Sequence, residues 1–246
     1  MAKQESVVKL SGTIGGFNFF YRKGKPFVRI AGGGFDSKKI KNSPTMVRVR
    51  ENASEFGMCS KAKKALRLAL NPFLHHYKDA TLHGRMMTLL QEIKTHDGIS
   101  ARGQRKVGLG MQTVAGQRLL REFAFSPKYS FEQLLGTSGQ VDATTFAYTV
   151  TDFSIDMVRF PVGATHAEIH YGVLRFDFER LEHRISLCPP LLLPLDAGDT
   201  SLHFTPETQP EGNGMLLGIG CVQFYQELNG GLVVLGDFGC GVLGVV

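Results

Sequence analysis

The hydrophobic pattern of this chain changes near residue 140, and that change limits the folds it can adopt. Between Leu82 and Ile93, apolar residues recur at steps of three and four, which is typical of an amphipathic helix. From about Asp142 onward, apolar and polar residues alternate, as in a β-strand with one buried face. The sequence therefore predicts an α+β fold in which helices precede an antiparallel sheet.

An N-terminal β-hairpin and a small helical bundle are predicted for the first half of the chain. Aromatic residues alternate with other residues over 17–22, a second extended run covers 26–30, and a short basic turn joins them. A Ser-Pro pair at 43–44 marks the start of a helix that runs to about residue 70. A further helix is expected over about 113–122.

The second half is predicted to be a series of short strands. Alternating or continuous apolar runs cover residues 146–150, 153–157, 167–171, 185–187, 202–204, 215–228 and 232–235. Asn229-Gly230 is a strong hairpin signal between the last two runs. Strands at this spacing indicate an antiparallel β-sandwich of immunoglobulin-like or fibronectin-like architecture.

Charge divides the chain as sharply as periodicity does. Residues 1–128 contain 24 Lys and Arg against 8 Asp and Glu, whereas residues 129–246 contain 4 against 14. The resulting net charges of +16 and −10 make up the total of +6. This shift predicts two domains: a basic hairpin and helical region over 1–128, and an acidic β-sandwich domain over 129–246.

Composition excludes several classes of protein. With 43% hydrophobic residues and 4 Cys in 246 residues, the chain is neither disordered nor a disulfide scaffold. The cysteines form no CxxC pair, so we expect free, mostly buried thiols at Cys59, Cys188, Cys221 and Cys240. The first ten residues lack a secretory signal, and the apolar segment 231–246 is too short for a transmembrane helix. A soluble, cytoplasmic protein without membrane insertion is expected.

Two carboxylates on the first long helix are candidates for catalysis. Glu51 and Glu55 lie one turn apart, so they share a face, as a general acid and base require. The many cations of the segment favour salt bridges for both carboxylates instead. Arg102 and Arg105 lie in a loop between helices and allow two similar interpretations. Their guanidinium groups either grip a phosphate or carboxylate, or fasten the loop to Glu51, Glu55 or Asp97.

No other motif indicates a catalytic or cofactor site. The glycines at 32–34 lack the spacing of a phosphate-binding P-loop, and Cys59 has basic neighbours but no identifiable base as a partner. The histidines match no zinc-binding pattern; they include His75, His76, His83 and His96. The sequence therefore predicts no catalytic residue, no metal site, no cofactor and no small-molecule ligand.

The basic residues of the long helix are the clearest functional feature. They are Arg48, Arg50, Lys61, Lys63, Lys64 and Arg67, preceded in the chain by Lys38, Lys39 and Lys41. Such a surface can follow a nucleic-acid backbone or attract an acidic protein. It can also dock on the acidic half of the same chain or of a neighbouring copy.

Segments spread over nearly the whole chain carry a family resemblance. The most specific is Arg48-x-Arg50-Glu51-Asn52-x-x-Glu55-Phe56-Gly57; others are Gly12 to Tyr21, Arg102-Gly103-Gln104-Arg105 and Phe224-x-Gln226-Glu227-x-Asn229-Gly230. In these segments the chain resembles a family of Bacteroidota proteins that carry a domain of unknown function. The resemblance implies a taxon and an architecture but no catalytic residue. It leaves room for an accessory role in a cell-envelope or secretion assembly.

Together these observations predict a non-enzymatic binding or structural protein that docks to another protein or self-associates. The first alternative is a nucleic-acid-binding protein that uses the basic helical region. The second is an accessory subunit of a cell-envelope or secretion assembly. The candidate binding residues are Arg48, Arg50, Glu51, Glu55, Lys61, Lys64, Arg67, Arg102 and Arg105.

Overall fold

A computed structural model describes residues 2–5, 8, 10–32, 36–74, 79–126 and 128–245, without the side chains of 236–238. Two of the glycines at 32–34, together with His75 and His76, lie outside the described residues. The chain divides into two compact units, Met1–Arg50 and Glu51–Val246.

The first unit contains a small antiparallel sheet and a short helix. Its strands are β1 (Ala2–Lys3), β2 (Gly12–Ile14), β3 (Phe17–Arg22) and β4 (Lys25–Ile30), and their order in the sheet is β1-β4-β3-β2. Helix α1 (Ser37–Asn42) follows, and a 3-10 turn over Pro44–Met46 leads into the long helix α2 (Val47–Ala69), which continues into the second unit. The hydroxyl of Ser43 accepts a hydrogen bond from the Thr45 amide at 3.3 Å, so the predicted cap is confirmed.

The second unit contains further helices and two sheets. The helices are α3 (Asn71–Leu74), α4 (Leu82–Thr95), α5 (Val107–Met111), α6 (Val114–Arg121) and α7 (Phe131–Leu135). The strands are β5 (Gln140–Val141), β6 (Tyr148–Val150), β7 (His166–Asp177), β8 (Glu182–Leu187), β9 (Leu191–Pro194), β10 (Leu202–Phe204), β11 (Met215–Leu228) and β12 (Gly231–Val245). The larger sheet has the order β12-β11-β7-β8, with β9 also paired to β7, and the smaller has the order β10-β6-β5.

The larger sheet carries a hydrophobic core on each face. On one face, Leu217 and Ile219 of β11 belong to the same cluster as Leu66 of α2 and Leu90 of α4. The other face packs against the smaller sheet and α7, in a second cluster that includes Tyr148. Side chains alternate between the two cores because successive strand residues point to opposite faces.

Most of the predicted elements are confirmed, and the structure is an α+β protein. The Phe17–Arg22 hairpin, helices α4 and α6, and the Asn229-Gly230 turn all lie where the sequence predicts them. The strand predicted over 153–157 is wrong: Ile155–Met157 form a 3-10 turn. The Ser154 hydroxyl caps this turn by accepting a hydrogen bond from the Asp156 amide at 3.3 Å. This local hydrogen bond competes with strand pairing. Among the residues that the structure describes, no helix combines the length and apolarity needed to cross a bilayer.

The predicted division at 128/129 falls inside the second unit, where helices and strands contribute to one core. It stays a prediction of two separately folding parts, and a core substitution tests it. We expect Leu90→Ala, which empties a fully buried site in α4, to lower the free energy of unfolding by about 2–5 kcal/mol. Because Leu90 shares its core with β11, amide hydrogen exchange should accelerate in β11 as well as in α4. Acceleration confined to residues before 129 would instead support separate domains.

Candidate functional site

Glu55 lies at the centre of a buried ion cluster, the Glu55 cluster, formed with Lys94, Gly103 and Arg105. The carboxylate is 1% exposed. Arg105 donates to it twice, from Nε to Oε1 at 2.8 Å and from Nη2 to Oε2 at 2.9 Å. Lys94 Nζ lies 2.5 Å from Oε2, and the Gly103 amide donates to Oε1 at 2.8 Å. The carboxylate therefore accepts four hydrogen bonds, three of them from cations.

These contacts determine the charge state of Glu55. The guanidinium of Arg105, helped by Lys94 and the Gly103 amide, holds the pKa of the carboxyl well below its usual range, although burial acts in the opposite direction. Glu55 is therefore ionised at neutral pH and has its oxygens occupied. A general base needs a pKa near the working pH and a free lone pair, and Glu55 has neither.

The loop over residues 97–106 is fastened to α2 through this cluster and two neighbouring contacts. Arg102 Nε lies 3.1 Å from Glu51 Oε2. Gly103 has a φ of +91°, and a Cβ placed there would lie 2.9 Å from Glu51 Cγ. Asp97 closes the loop because its carboxylate accepts hydrogen bonds from the backbone amides of Ser100 and Lys106, at 2.9 and 2.8 Å.

Glu51, Glu55, Arg102 and Arg105 are thus paired with one another in the second unit. Of the two interpretations of the loop arginines, the geometry matches the one in which they fasten the loop to helical carboxylates. Burial raises the pKa of the Cys59 thiol, which lies one turn from Glu55 in α2, so this cysteine is not an activated nucleophile.

Three further candidate residues lie together in an open groove along α2. The α2 groove has a volume of about 780 Å³ and is lined by Phe56, Gly57, Ser60, Lys61, Lys63, Lys64, Arg67, Leu68, Asn71 and His83. Lys61, Lys64 and Arg67 are exposed. They share the groove because residues three and four apart lie on one side of a helix.

Lys63 of α2 and His83 of α4 both line the α2 groove. The Lys63 side chain is buried, and its Nζ lies 2.8 Å from Nδ1 of His83 in α4. The same Nζ lies 3.1 Å from Nε2 of the His83 ring. Within the described residues, Lys63 has no carboxylate partner. It is a buried cation whose charge no described acidic group balances.

The same imbalance extends along the groove. In the part of the chain that the structure describes, Lys61, Lys64 and Arg67 form no ion pair either. Residues 56–78 contain five Lys and Arg and no Asp or Glu. The α2 groove is therefore a concentrated positive surface with exposed apolar side chains at Phe56 and Leu68.

The remaining candidates, Arg48 and Arg50, belong to the first unit. Arg50 Nη1 donates to the carbonyls of Ile40 and Ser43 at 2.7 and 3.0 Å, so it supports the carboxyl-terminal end of α1. Arg48 is exposed. The groove residues that sequence reasoning missed are Phe56, Leu68 and His83. Helical spacing relates Leu68 to Lys61 and Lys64, whereas His83 comes from another helix and has no local signal.

The described residues contain no group of three or more His, Cys, Asp or Glu able to hold a metal ion. Comparison with protein-family models, with curated proteins and with solved structures finds no match for the chain.

The Glu55 cluster leads to a pH prediction. The pKa of Glu55 is lower in the folded protein than its ordinary value of 4.5, so the stability it provides is complete above that value and is lost as the pH falls. We expect Glu55→Gln to lower the free energy of unfolding by about 3 kcal/mol at neutral pH. Urea titrations from about pH 6 to 3 should show a shallower loss of stability in the variant, because this proton uptake is removed. Equal slopes in the two proteins would contradict the assignment.

Alanine substitutions of two glycines, one in the loop and one in α2, should change the stability of the protein in opposite directions. Gly103→Ala should destabilise the protein by about 1–3 kcal/mol, because the new methyl group meets Glu51 and the backbone has a positive φ. Gly57→Ala should stabilise it by roughly 0.5–1 kcal/mol, because Gly57 is within α2 and a Cβ there meets nothing within 4 Å. Thermal unfolding of both variants checks the signs. A stabilising Gly103→Ala would mean that the loop does not hold this close approach to α2.

Proposed function

We propose that this protein is a non-enzymatic docking protein whose α2 groove binds an acidic segment of a partner protein. The observation that carries the proposal is the set of four groove cations, Lys61, Lys63, Lys64 and Arg67, that have no acidic partner among the described residues. A buried ammonium without a counterion is costly, and a ligand carboxylate in the groove would offset that cost.

Burial makes Lys63 the most informative of these cations. Exposed lysines are stabilised by water and need no partner, but Lys63 is 6% exposed and its Nζ contacts the His83 ring. A carboxylate entering the groove would meet this charge in a partly desolvated setting, where ion pairs are stronger than at an open surface. Lys63 therefore favours a site for an anion over a merely solvated face.

The apolar side chains favour a protein over a nucleic acid. Phe56 and Leu68 are 54% and 59% exposed and lie in the same groove as the cations. An acidic segment that also carries apolar residues would cover both, in the way amphipathic helices occupy grooves of other proteins. A phosphate backbone gains little from Leu68, and a single aromatic ring at Phe56 is a poor platform for stacking several bases.

The paired carboxylates support the non-enzymatic part of the proposal. Glu51 and Glu55, the two candidates for acid and base, are held by Arg102 and Arg105. The Glu55 cluster fastens the loop to α2 and leaves Glu55 without a free lone pair to take up a proton.

Three expectations from the sequence also remain proposals. They are membership of the Bacteroidota family, a cytoplasmic location, and an immunoglobulin-like or fibronectin-like arrangement of the sheets. The last is supported by the shared core between two antiparallel sheets. An accessory role in an envelope or secretion assembly agrees with a docking function, because such subunits act by binding other proteins.

Binding of defined probes tests the proposal. We would titrate the full chain with an acidic peptide that has Leu at every third or fourth position, an equally charged peptide without Leu, and a single-stranded oligonucleotide of the same charge. We expect the first peptide to bind with a Kd on the order of 1–10 μM and the second about tenfold more weakly, because Phe56 and Leu68 lose their contacts.

Matched charge reversals locate the binding site. Lys64→Glu in the groove should weaken binding of the first peptide at least about tenfold, whereas Arg121→Glu, on another exposed helical surface, should change it less than about twofold. Equal effects of the two variants would refute the groove. Tighter binding of the oligonucleotide than of either peptide, with a steep salt dependence, would replace the proposal with nucleic-acid binding.

A further inference from the structure

The N-terminal sheet has one face made entirely of apolar residues. In its antiparallel register, Phe17 lies opposite both Ile30 and Ile14, and residues directly opposite each other share a face. The same alternation applies to the rest of the sheet. The apolar face of the N-terminal sheet consists of Ala2, Gly12, Ile14, Phe17, Phe19, Tyr21, Pro26, Val28 and Ile30.

Every charged residue of the four strands lies on the opposite face. These residues are Lys3, Arg22, Lys25 and Arg29, and they share that face with Thr13, Asn18, Phe20 and Phe27. The basic face forms its own contacts: Phe20 and Phe27 stack at a centroid distance of 6.0 Å, and the Arg29 guanidinium lies 5.4 Å from the Phe20 ring centre. The segregation of charge to one side is therefore complete within the strands.

Within the first unit, the described residues leave the apolar face uncovered. Ile14 and Ile30 are 54% and 74% exposed, Phe17 and Tyr21 are also exposed, and no described residue within 2–50 is buried. A small sheet needs its hydrophobic face covered to be stable, and large exposed apolar patches on soluble proteins mark interaction sites. This face therefore needs an occupant.

We propose that the occupant is the same face of a second copy, so that two N-terminal sheets pack face to face in a symmetric dimer. Residues 1–50 contain eleven Lys and Arg against two Asp and Glu, which at first sight opposes self-association. Face-to-face packing places the sheets ~10 Å apart with the basic faces outward, so their charges are separated by roughly 20 Å. That distance is about twice the Debye length at physiological salt, so the repulsion is weak.

The available area matches a reversible dimer. Aromatic side chains such as Phe17 and Tyr21 present ~150–250 Å² each, and together with Ile14, Ile30 and their half-buried neighbours they offer on the order of 500 Å² per copy. Two copies then bury about 1,000 Å², which is the lower limit for a specific interface. A twofold axis uses the same patch on both partners, so no second surface is needed.

The dependence on salt distinguishes this dimer from association through opposite charges. If the basic unit of one copy docked on the acidic residues 129–246 of another, salt would weaken the contact. The face-to-face dimer should become tighter with salt, because the remaining repulsion between two basic units is screened. Binding of an acidic segment in the α2 groove should also weaken with salt. The salt dependence of groove binding is therefore opposite to that of the face-to-face dimer.

Sedimentation equilibrium of the full chain over a concentration series tests the dimer. Ile14 and Thr13 are neighbours in β2 that point to opposite faces, so Ile14→Lys and Thr13→Lys add the same charge to the two sides of one strand. We expect Ile14→Lys to raise the dimer Kd at least about tenfold and Thr13→Lys less than about threefold. A wild-type dimer that tightens between low and high salt is expected in the same series.

Hydrogen exchange of the wild-type protein tests the dimer without any substitution, so the result does not depend on whether a variant unfolds. Amides of residues 17–30 should exchange several-fold more slowly at concentrations where the dimer forms, whereas those of residues 215–228 should not change. A monomer at every concentration would overturn the proposal and leave the face to another part of the same chain or to a different protein. A dimer that dissociates in salt, or that tolerates Ile14→Lys, would overturn it as well.

Discussion

The buried charge of Glu55 is the constraint on which the arrangement around α2 depends. A carboxylate that is 1% exposed persists as an anion where cations and amides satisfy its oxygens. Its partners come from helix α4, through Lys94, and from the loop that follows α4, through Gly103 and Arg105. Satisfying this one group therefore fastens a helix and a loop to α2, and it accounts for the candidate residue Arg105 without any reaction.

The cations of residues 1–128 lie in three different surroundings. Arg102 and Arg105 are used in internal ion pairs, the exposed cations Lys61, Lys64 and Arg67 line the α2 groove, and the cations of the N-terminal strands lie on one side of a sheet. A total of +16 over residues 1–128 therefore does not describe a single patch. Function follows from the charges that have no internal partner, because these are the ones that a ligand can neutralise.

Elements that depend on local pattern could be predicted from the sequence. The Asn229-Gly230 turn takes left-handed backbone at both residues, as the residue pair indicates, and α4 follows its apolar spacing. Glu55 also had an available signal, since it lies on the same helical stripe as the buried Cys59 and Leu66. The sequence could not reveal its partners, which lie 39 and 50 residues away and meet it only through tertiary packing.

The strand that was predicted wrongly has a local physical cause. Alternation over 153–157 suggested a strand. Instead, the Asp156 amide donates a hydrogen bond to the nearby Ser154 hydroxyl, and the segment forms a 3-10 turn. The boundary predicted from charge at 128/129 stays a prediction, and the two compact units divide between Arg50 and Glu51. Net charge along the sequence does not report which apolar side chains share a core.

Lysine reactivity in the bound protein tests the docking account most directly. The full chain would be allowed to capture its partner from nuclease-treated extract of its host, and the surface lysines would then be acetylated in the bound and free states. The account predicts strong protection of Lys61 and Lys64 and none of Lys128, an exposed lysine between α6 and α7. Unchanged reactivity of Lys61 and Lys64 in a stoichiometric complex would contradict it.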